Sequence, residues 1–139
     1  MRARFLSLLL IVAIVVGFAG NGGPRKGLPY LAESFKTTAK KYKNAVLFLV
    51  GVNEADKERL GFNGEIAERV ICAGFRRDVA NCMAGMDIFV FSGIAEEGLT
   101  GTVREAAAVG LPIITTDVAG NRELIKDGET GVVVPMKDS

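Results

Sequence analysis

Short apolar runs alternate with amphipathic segments along this chain, and this alternation restricts its possible folds more than any other feature. The runs AVLFLVG, VICAGF, DIFVFSG, PIITTDV and GVVVP have the length and apolar content of buried strands. Between them, LPYLAESFKTTAKKY, RDVANCMAGM and TVREAAAVG place apolar residues at helical spacing. Such alternation, with short glycine-, asparagine- and aspartate-rich connections, predicts an α/β fold with a parallel sheet and helices on both faces. At 139 residues, the chain (1–139) has the length of a single domain.

Two segments have weaker patterns. Residues 53–69 are predicted to be helical or irregular, and NRELIKDG is predicted to be a short helix that ends at Gly128. The predicted core contains the apolar face of the first helix and three strand phenylalanines: Leu28, Leu31, Ala32, Phe35, Ala39, Phe48, Phe89 and Phe91.

The first 20 residues allow two interpretations. The basic start and the apolar run 5–20 resemble a secretory signal, with small residues at Gly17 and Ala19; as a helix the run would span about 24 Å, less than the roughly 30 Å hydrocarbon core. Alternatively, IVAIVVGFAG is a buried strand that ends in a glycine turn. We favour the strand because a predicted helix follows the turn, as in a strand–turn–helix unit.

The composition excludes several kinds of site. The chain has no histidine, which removes the Ser-His-Asp triad, the Cys-His pair and most zinc sites. The 17 Lys+Arg against 16 Asp+Glu give a formal charge of +1, so no nucleic-acid partner is indicated. Cys72 and Cys82 lack metal-ligand spacing; we expect buried thiols, with a disulfide as the alternative. No Asp-x-Asp pair is present, so we expect no metal cofactor, and phosphates would need cationic side chains or helix N-termini.

The stretch EEGLTGTVREA places two carboxylates, Glu97 and Glu105, on either side of a glycine- and threonine-rich turn. One interpretation is a capping box, because Thr102 and Glu105 have the S/T-x-x-E spacing. The other is a ligand-binding turn, in which Gly98 and Gly101 let backbone N–H groups approach an anion at a helix N-terminus. Capping alone does not account for Glu97.

Glycine-rich nucleotide motifs are poorly matched. GFAGNGG has the order G-x-x-G-x-G-G instead of G-x-G-x-x-G. The chain also lacks a P-loop, because the lysine in RKG is not followed by Ser or Thr. An NAD-binding domain would require G-x-G-x-x-G at the end of the first strand, and a response-regulator-like domain would require an acidic cluster there. Neither is present, so both domains are disfavoured.

The ordered set of motifs resembles the C-terminal, donor-binding half of a retaining glycosyltransferase of the GT-B fold, the large group called family 4. The resemblance runs from about Val15 to Pro135 and rests on GFAGNGGPRKGLPYL, LFLVG, VICAGFRRDV and the stretch from MDIFVFSG to GVVVP. The central motif is the E-x7-E pattern of Glu97 and Glu105, followed by GLPIITT and a Gly-x-x-Glu turn. The resemblance implies a Rossmann-like domain.

The resemblance also implies roles for the two glutamates. Glu105 would accept hydrogen bonds from the ribose hydroxyls of a nucleoside diphosphate sugar, and Glu97 would face the donor sugar near its reacting carbon. Backbone N–H groups would hold phosphate or sugar oxygens at Gly98, Leu99, Thr100, Gly101 and Thr102.

Outside the E-x7-E pattern, Lys26 matches the lysine of the R-x-x-x-x-K-G motif, which neutralises the donor diphosphate. The arginine of that motif falls on Asn21, a departure from the family pattern, and Arg25 is a candidate to supply the missing positive charge.

Phe75 and Val79 match the segment that lines the nucleobase, with core packing as the alternative for both. The spacing from Ser92 to Glu97 is two residues longer than the common S-x-x-E form, which leaves the role of Ser92 open.

In full, the resemblance implies transfer of a sugar from a nucleoside diphosphate sugar to a glycan or lipid-linked acceptor, with retention and without a metal. The acceptor-binding N-terminal domain is absent from the sequence, so we expect it on another chain or expect an inactive fragment. A nucleotide-sugar-binding module without chemistry is the alternative. We expect a cytoplasmic protein, or a peripheral one at the inner face of the membrane.

Overall fold

A computed structural model of the protein describes residues 12–95 and 100–139, apart from the side chain of Ala119. Its strands are β1 Ile14–Ala19, β2 Ala45–Val50, β3 Val70–Gly74, β4 Ile88–Phe91, β5 Ile113–Thr116 and β6 Val132–Val134. Its α-helices are α1 Leu28–Lys41, α2 Asp56–Arg59, α3 Gly64–Glu68, α4 Val79–Ala84 and α5 Gly101–Val109. Short 3-10 helices cover Pro24–Lys26 and Ala119–Glu123.

Within the described residues, the strands form one sheet of six, with the order β3-β2-β1-β4-β5-β6 and only parallel pairs. Chain order reverses between β1 and β4, so the connections that follow these two neighbouring strands leave in opposite directions. The prediction of a Rossmann-like α/β sheet is confirmed.

Helices cover both faces of the sheet. On one face, the predicted apolar side of α1 is buried against Phe18, Leu47 and Leu49. On the other, Met83 of α4 and Val103 of α5 pack in a second core cluster. The alternation of residues along β2 separates the two clusters, since successive side chains of a strand point to opposite faces. Burial of Phe89 and Phe91, and the partial burial of Phe48, agree with the predicted core.

The N-terminal strand is confirmed over Ile14–Ala19, where β1 is a central strand. Residues 1–11 lie outside the described residues, and the signal-like leader falls largely there. Among the residues that the structure describes, no helix is long and apolar enough to cross a membrane.

The predicted helix in NRELIKDG is wrong. The structure has a 3-10 helix over Ala119–Glu123, and the chain turns after Ile125, whose side chain is anchored in the core. The hydroxyl of Thr130 accepts a hydrogen bond from the Lys126 N–H at 2.8 Å, a local side-chain contact that competes with helix continuation. Residues 53–69 form the short helices α2 and α3, as the weak pattern allowed.

Cys72 and Cys82 are both free thiols and partly buried, so the alternative of a disulfide is wrong. Burial raises the pKa of the Cys72 thiol, and the nearby Glu54 carboxylate acts in the same direction.

Candidate functional site

The connections that follow β1 and β4 meet at the carboxyl edge of the sheet. They lie side by side because β1 pairs directly with β4, through Val16 opposite Ile88 and Gly17 opposite Phe89. In open α/β sheets, a crevice forms where the strand order reverses, and ligands bind there. The two motifs predicted to bind a donor, GNGGPRKG and EEGLTGT, therefore follow the two strands that border this crevice.

Hydrogen bonds join the two connections. The Ser92 hydroxyl donates to the Lys26 carbonyl at 2.7 Å, and the Ile94 N–H donates to the Arg25 carbonyl at 2.9 Å. Gly27 permits this close approach: its φ is 64°, and a Cβ added there would lie 1.8 Å from the Ser92 carbonyl oxygen. Ser92, whose role the sequence left open, thus ties the connection after β4 to the connection after β1.

The connection after β1 presents its polar side chains at this edge. Asn21 is exposed, and its side-chain oxygen accepts a hydrogen bond from the Gly23 N–H at 3.1 Å, which stabilises a tight turn. The 3-10 helix Pro24–Lys26 follows, with Arg25 exposed and Lys26 partly buried. Asn21 therefore has a local structural role at the position where the resembling family has an arginine.

The capping-box interpretation of Thr102 and Glu105 is wrong. The helix begins at Gly101 with Thr100 as its N-cap, so Thr102 and Glu105 both lie inside the helix. Glu105 is exposed, and its carboxylate reaches back towards the first turn, 4.0 Å from where a Cβ on Gly101 would lie. Glu97, Gly98 and Leu99 lie outside the described residues, so their predicted roles stay predictions.

A buried polar cluster supports this edge of the sheet. We give this name to five side chains that are the buried polar residues of the described chain: Ser92, Thr100, Thr115, Thr116 and Asn121. The Thr116 hydroxyl donates to the Gly93 carbonyl at 2.7 Å, and the Asn121 amide donates to the Thr115 hydroxyl at 2.9 Å. The side-chain oxygen of Asn121 accepts from the Thr100 N–H and hydroxyl, at 3.4 and 3.3 Å.

Sequence reasoning missed Thr115, Thr116 and Asn121. One signal was present, since two threonines stand at the end of an otherwise apolar strand and an asparagine follows shortly after. Buried hydroxyl and amide groups need partners, so polar residues at that place indicate a hydrogen-bonded network.

The connection after β3 carries Phe75 and Val79 at the same edge, two strands away from β1. Phe75 is 83% exposed, so the core-packing alternative is wrong for this residue. Val79 begins α4 and packs against the core, as its alternative predicted.

Between Phe75 and Val79, Arg76 donates two hydrogen bonds to the Asp78 carboxylate, both at 2.8 Å, and lowers the pKa of Asp78. Beyond the crevice, Arg122 pairs with Asp117 and lowers the pKa of that carboxyl in the same way.

A family model described as "Glycosyl transferases group 1" matches residues 13–139, almost all of the described chain. The chain belongs to the group 1 glycosyltransferases. The family identified from the sequence is therefore confirmed.

Curated relatives match this chain over part of their length. The GDP-mannose-dependent alpha-mannosyltransferase of Mycobacterium tuberculosis is 32% identical over 123 residues, which cover 88% of this chain and 30% of that protein. The capsular polysaccharide biosynthesis glycosyltransferase CapM of Staphylococcus aureus is 30% identical over 131 residues, which cover 89% of this chain and 33% of that protein. The chain thus spans about a third of the length of the curated relatives it matches.

Solved structures of other proteins have the same fold. Anabaena Alr3699/HepE, crystallised in complex with UDP-glucose, matches with a TM-score of 0.77 and 27% identity, over 92% of this chain and 36% of that chain. The C-terminal domain of the group 1 protein LpcC from Francisella tularensis matches with a TM-score of 0.75 and 23% identity, over 90% of this chain and 69% of that chain. This chain is therefore one half of a GT-B fold.

Proposed function

We propose that this chain is the donor-binding domain of a glycosyltransferase, which transfers a sugar from a nucleoside diphosphate sugar to an acceptor with retention. The observation that carries the proposal is the hydrogen-bonded junction between the connections after β1 and β4. The junction lies where the strand order reverses; Lys26 belongs to the connection after β1, and the connection after β4 leads to α5. The crystal structures of Alr3699/HepE with UDP and UDP-glucose support this type of ligand.

The donor diphosphate would bind between Lys26 and the first turn of α5. The backbone N–H groups at the start of a helix have no intrahelical partners, and the helix dipole favours an anion there. The first-turn groups are those of Gly101, Thr102 and Val103. By the family resemblance, the N–H groups of Gly98, Leu99 and Thr100 would join them, and the Thr100 N–H would exchange its Asn121 partner for a donor oxygen.

The two glutamates would bind hydroxyl groups of the donor. An ionised carboxylate only accepts hydrogen bonds and can take two hydroxyl protons, which suits a ribose or a hexose. Glu105, exposed near the start of α5, would bind the ribose, and Glu97 would position the transferred sugar. Phe75, exposed after β3, would stack on the nucleobase, with Val79 beneath it.

In the reaction, the bond between the anomeric carbon and the diphosphate oxygen breaks, and the acceptor oxygen forms the new bond on the same face of the sugar. The proton of the acceptor hydroxyl passes to the departing diphosphate oxygen. Negative charge develops on the departing diphosphate, and positive charge develops at the anomeric carbon. Lys26 would stabilise the departing charge, assisted by Arg25 where the family motif has its arginine, and no metal is required.

The acceptor, a glycan or a lipid-linked sugar, would bind to an N-terminal GT-B domain. Such a domain agrees with the length of the curated relatives, about three times that of this chain. We place the protein in the cytoplasm, or peripherally at the inner face of the membrane.

A second candidate function is binding of a nucleotide sugar without transfer. The side chain of Asn21 favours it, because it stabilises a turn at the position of the family's cationic residue. Release of the nucleoside diphosphate from a bound donor, when an acceptor and the N-terminal domain of a relative are added, would exclude this candidate.

The first experiment is calorimetric titration of the chain with UDP, GDP, ADP and CDP and with their sugar conjugates. We expect the chain to prefer one base, and Glu105→Ala to lower the affinity for that nucleotide about tenfold. A tenfold loss equals about 1.4 kcal/mol, the magnitude expected when hydrogen bonds to a charged group are lost. The matched control is Glu68→Ala, since Glu68 is exposed on α3 just before β3 begins, at the opposite edge of the sheet. A folded chain that binds none of the nucleotides would refute the proposal.

A further inference from the structure

The hydroxyl of Thr100 does not cap its own helix. Threonine at an N-cap normally accepts a hydrogen bond from the N–H of the second or third helical residue, here Thr102 or Val103. The structure shows no such side-chain bond at α5. Instead, the Thr100 hydroxyl donates to the side-chain oxygen of Asn121 at 3.3 Å.

Asn121 is held in place by other groups. Its side chain has 0% exposure, and its amide donates to the Thr115 hydroxyl at 2.9 Å. Thr115, also buried, donates in turn to the Thr116 carbonyl at 3.0 Å. The neutral chain of bonds therefore runs from the end of β5 to the N-cap of α5, and each side chain in it has a partner.

We propose that Asn121 is a positioning residue for donor binding. A hydroxyl that donates can still accept, so the effect is positional: Asn121 holds the Thr100 side chain with its hydroxyl oxygen away from the first turn of α5. The first-turn N–H groups of Thr102 and Val103 are thereby left for the donor diphosphate. The inference rests on the proposed function, and it adds a residue that does not touch the donor. Without Asn121, the Thr100 hydroxyl competes with the phosphate oxygens for the same N–H groups.

Asn121→Ala tests this inference through two readouts that a purely structural role does not move together. We expect UDP or GDP to bind about fivefold more weakly, the equivalent of one N-cap hydrogen bond, while uridine or guanosine, which lack phosphate, bind as before. In the chain without nucleotide, amide hydrogen exchange at Thr102 and Val103 becomes slower, because the freed hydroxyl now caps them.

The double variant Asn121→Ala/Thr100→Val decides the cause. Valine has the shape of threonine but cannot accept a hydrogen bond, so the double variant should regain affinity for UDP or GDP and fast exchange at Thr102 and Val103. Loss of affinity without recovery in the double variant overturns the inference, and so does equal weakening of nucleotide and nucleoside. The matched control is Ile125→Val, which loosens the core in the same segment and should change stability alone.

If Asn121→Ala does not fold, Thr115→Val replaces it, since it removes only the hydroxyl that accepts the Asn121 amide. The same pattern is expected with a smaller amplitude. If affinity and exchange both stay unchanged in Thr115→Val, the inference is overturned. If the unmodified chain binds none of UDP, GDP, ADP and CDP, the proposed function fails. Unchanged exchange at Thr102 and Val103 in Asn121→Ala shows independently that the capping competition is absent.

Discussion

Lys26 and Arg25 are adjacent cations with different surroundings. Lys26 is partly buried, and its carbonyl accepts the Ser92 hydroxyl, whereas Arg25 is exposed. The backbone at Lys26 is therefore fixed relative to the connection after β4. A partly buried lysine on a fixed backbone loses less conformational entropy on binding a phosphate than a fully exposed lysine on a mobile loop.

Replacement of Lys26 should selectively weaken binding of the diphosphate. We expect Lys26→Ala to reduce affinity for a nucleoside diphosphate about tenfold, since a hydrogen bond to a charged group contributes about 1.5–3 kcal/mol. Calorimetry measures this, with Lys40→Ala, an exposed lysine of α1, as the control. Equal affinities of the two variants would contradict the role of Lys26.

Phe75 should contribute to base binding without contributing to stability. It is 83% exposed, so Phe75→Ala should change the free energy of unfolding by less than about 0.5 kcal/mol. Stacking of a base on an aromatic ring contributes about 1–3 kcal/mol, so affinities for the nucleotide and its nucleoside should both fall about fivefold or more. Phe75→Trp should restore binding, and Tyr42→Ala, an exposed aromatic at the end of α1, is the control. An unchanged nucleoside affinity in Phe75→Ala would show that the ring does not contact the base.

Among the elements, the contact between the connections after β1 and β4 depends on a glycine. Gly27 and Gly128 both have positive φ, 64° and 75°, but only Gly27 has a neighbour where a Cβ would be placed. The pair therefore separates the cost of backbone conformation from the cost of lost contact.

We expect Gly128→Ala to reduce the free energy of unfolding by about 1 kcal/mol, the cost of a left-handed conformation. Gly27→Ala should cost about 2–4 kcal/mol, because overpacking against the Ser92 carbonyl adds to that conformational cost. Urea denaturation measures both. Equal losses in the two variants would mean that the connections after β1 and β4 can separate without cost.

At the level of the whole molecule, binding at the crevice should stabilise the entire sheet, because β1 and β4 lie at its centre. A ligand at about 100 times its Kd adds about 2.7 kcal/mol of stability, so the preferred nucleoside diphosphate should raise the Tm by roughly 5–10 °C. Differential scanning calorimetry measures the shift, and Lys26→Ala at the same ligand concentration should show about half of it. An equal shift with inorganic phosphate alone would argue against a nucleotide site.

Much of the architecture was predictable because it follows from local pattern. The apolar runs and helical spacing predicted β1 to β6, α1, α4 and α5, and the buried face of α1 was predicted residue by residue. The segment after β5 was not, because a 3-10 turn, a core contact of Ile125 and a threonine–backbone bond override a helical pattern that is only a few residues long. The capping-box interpretation placed the N-cap of α5 two residues too late, at Thr102, because Thr100 and Thr102 are equivalent as sequence signals for an N-cap.

The amino-acid sequence by itself determined the α/β class, the family, and the two motifs that follow the strands of the crevice, since these depend on residue types and their spacing. Only the tertiary structure decided that β1 and β4 are neighbours, that Ser92 and Gly27 join their connections, and that Asn121 takes the Thr100 hydroxyl away from α5. These contacts join residues from different elements, and a hydrogen bond between such residues depends on how strands are ordered in space, which no local pattern specifies.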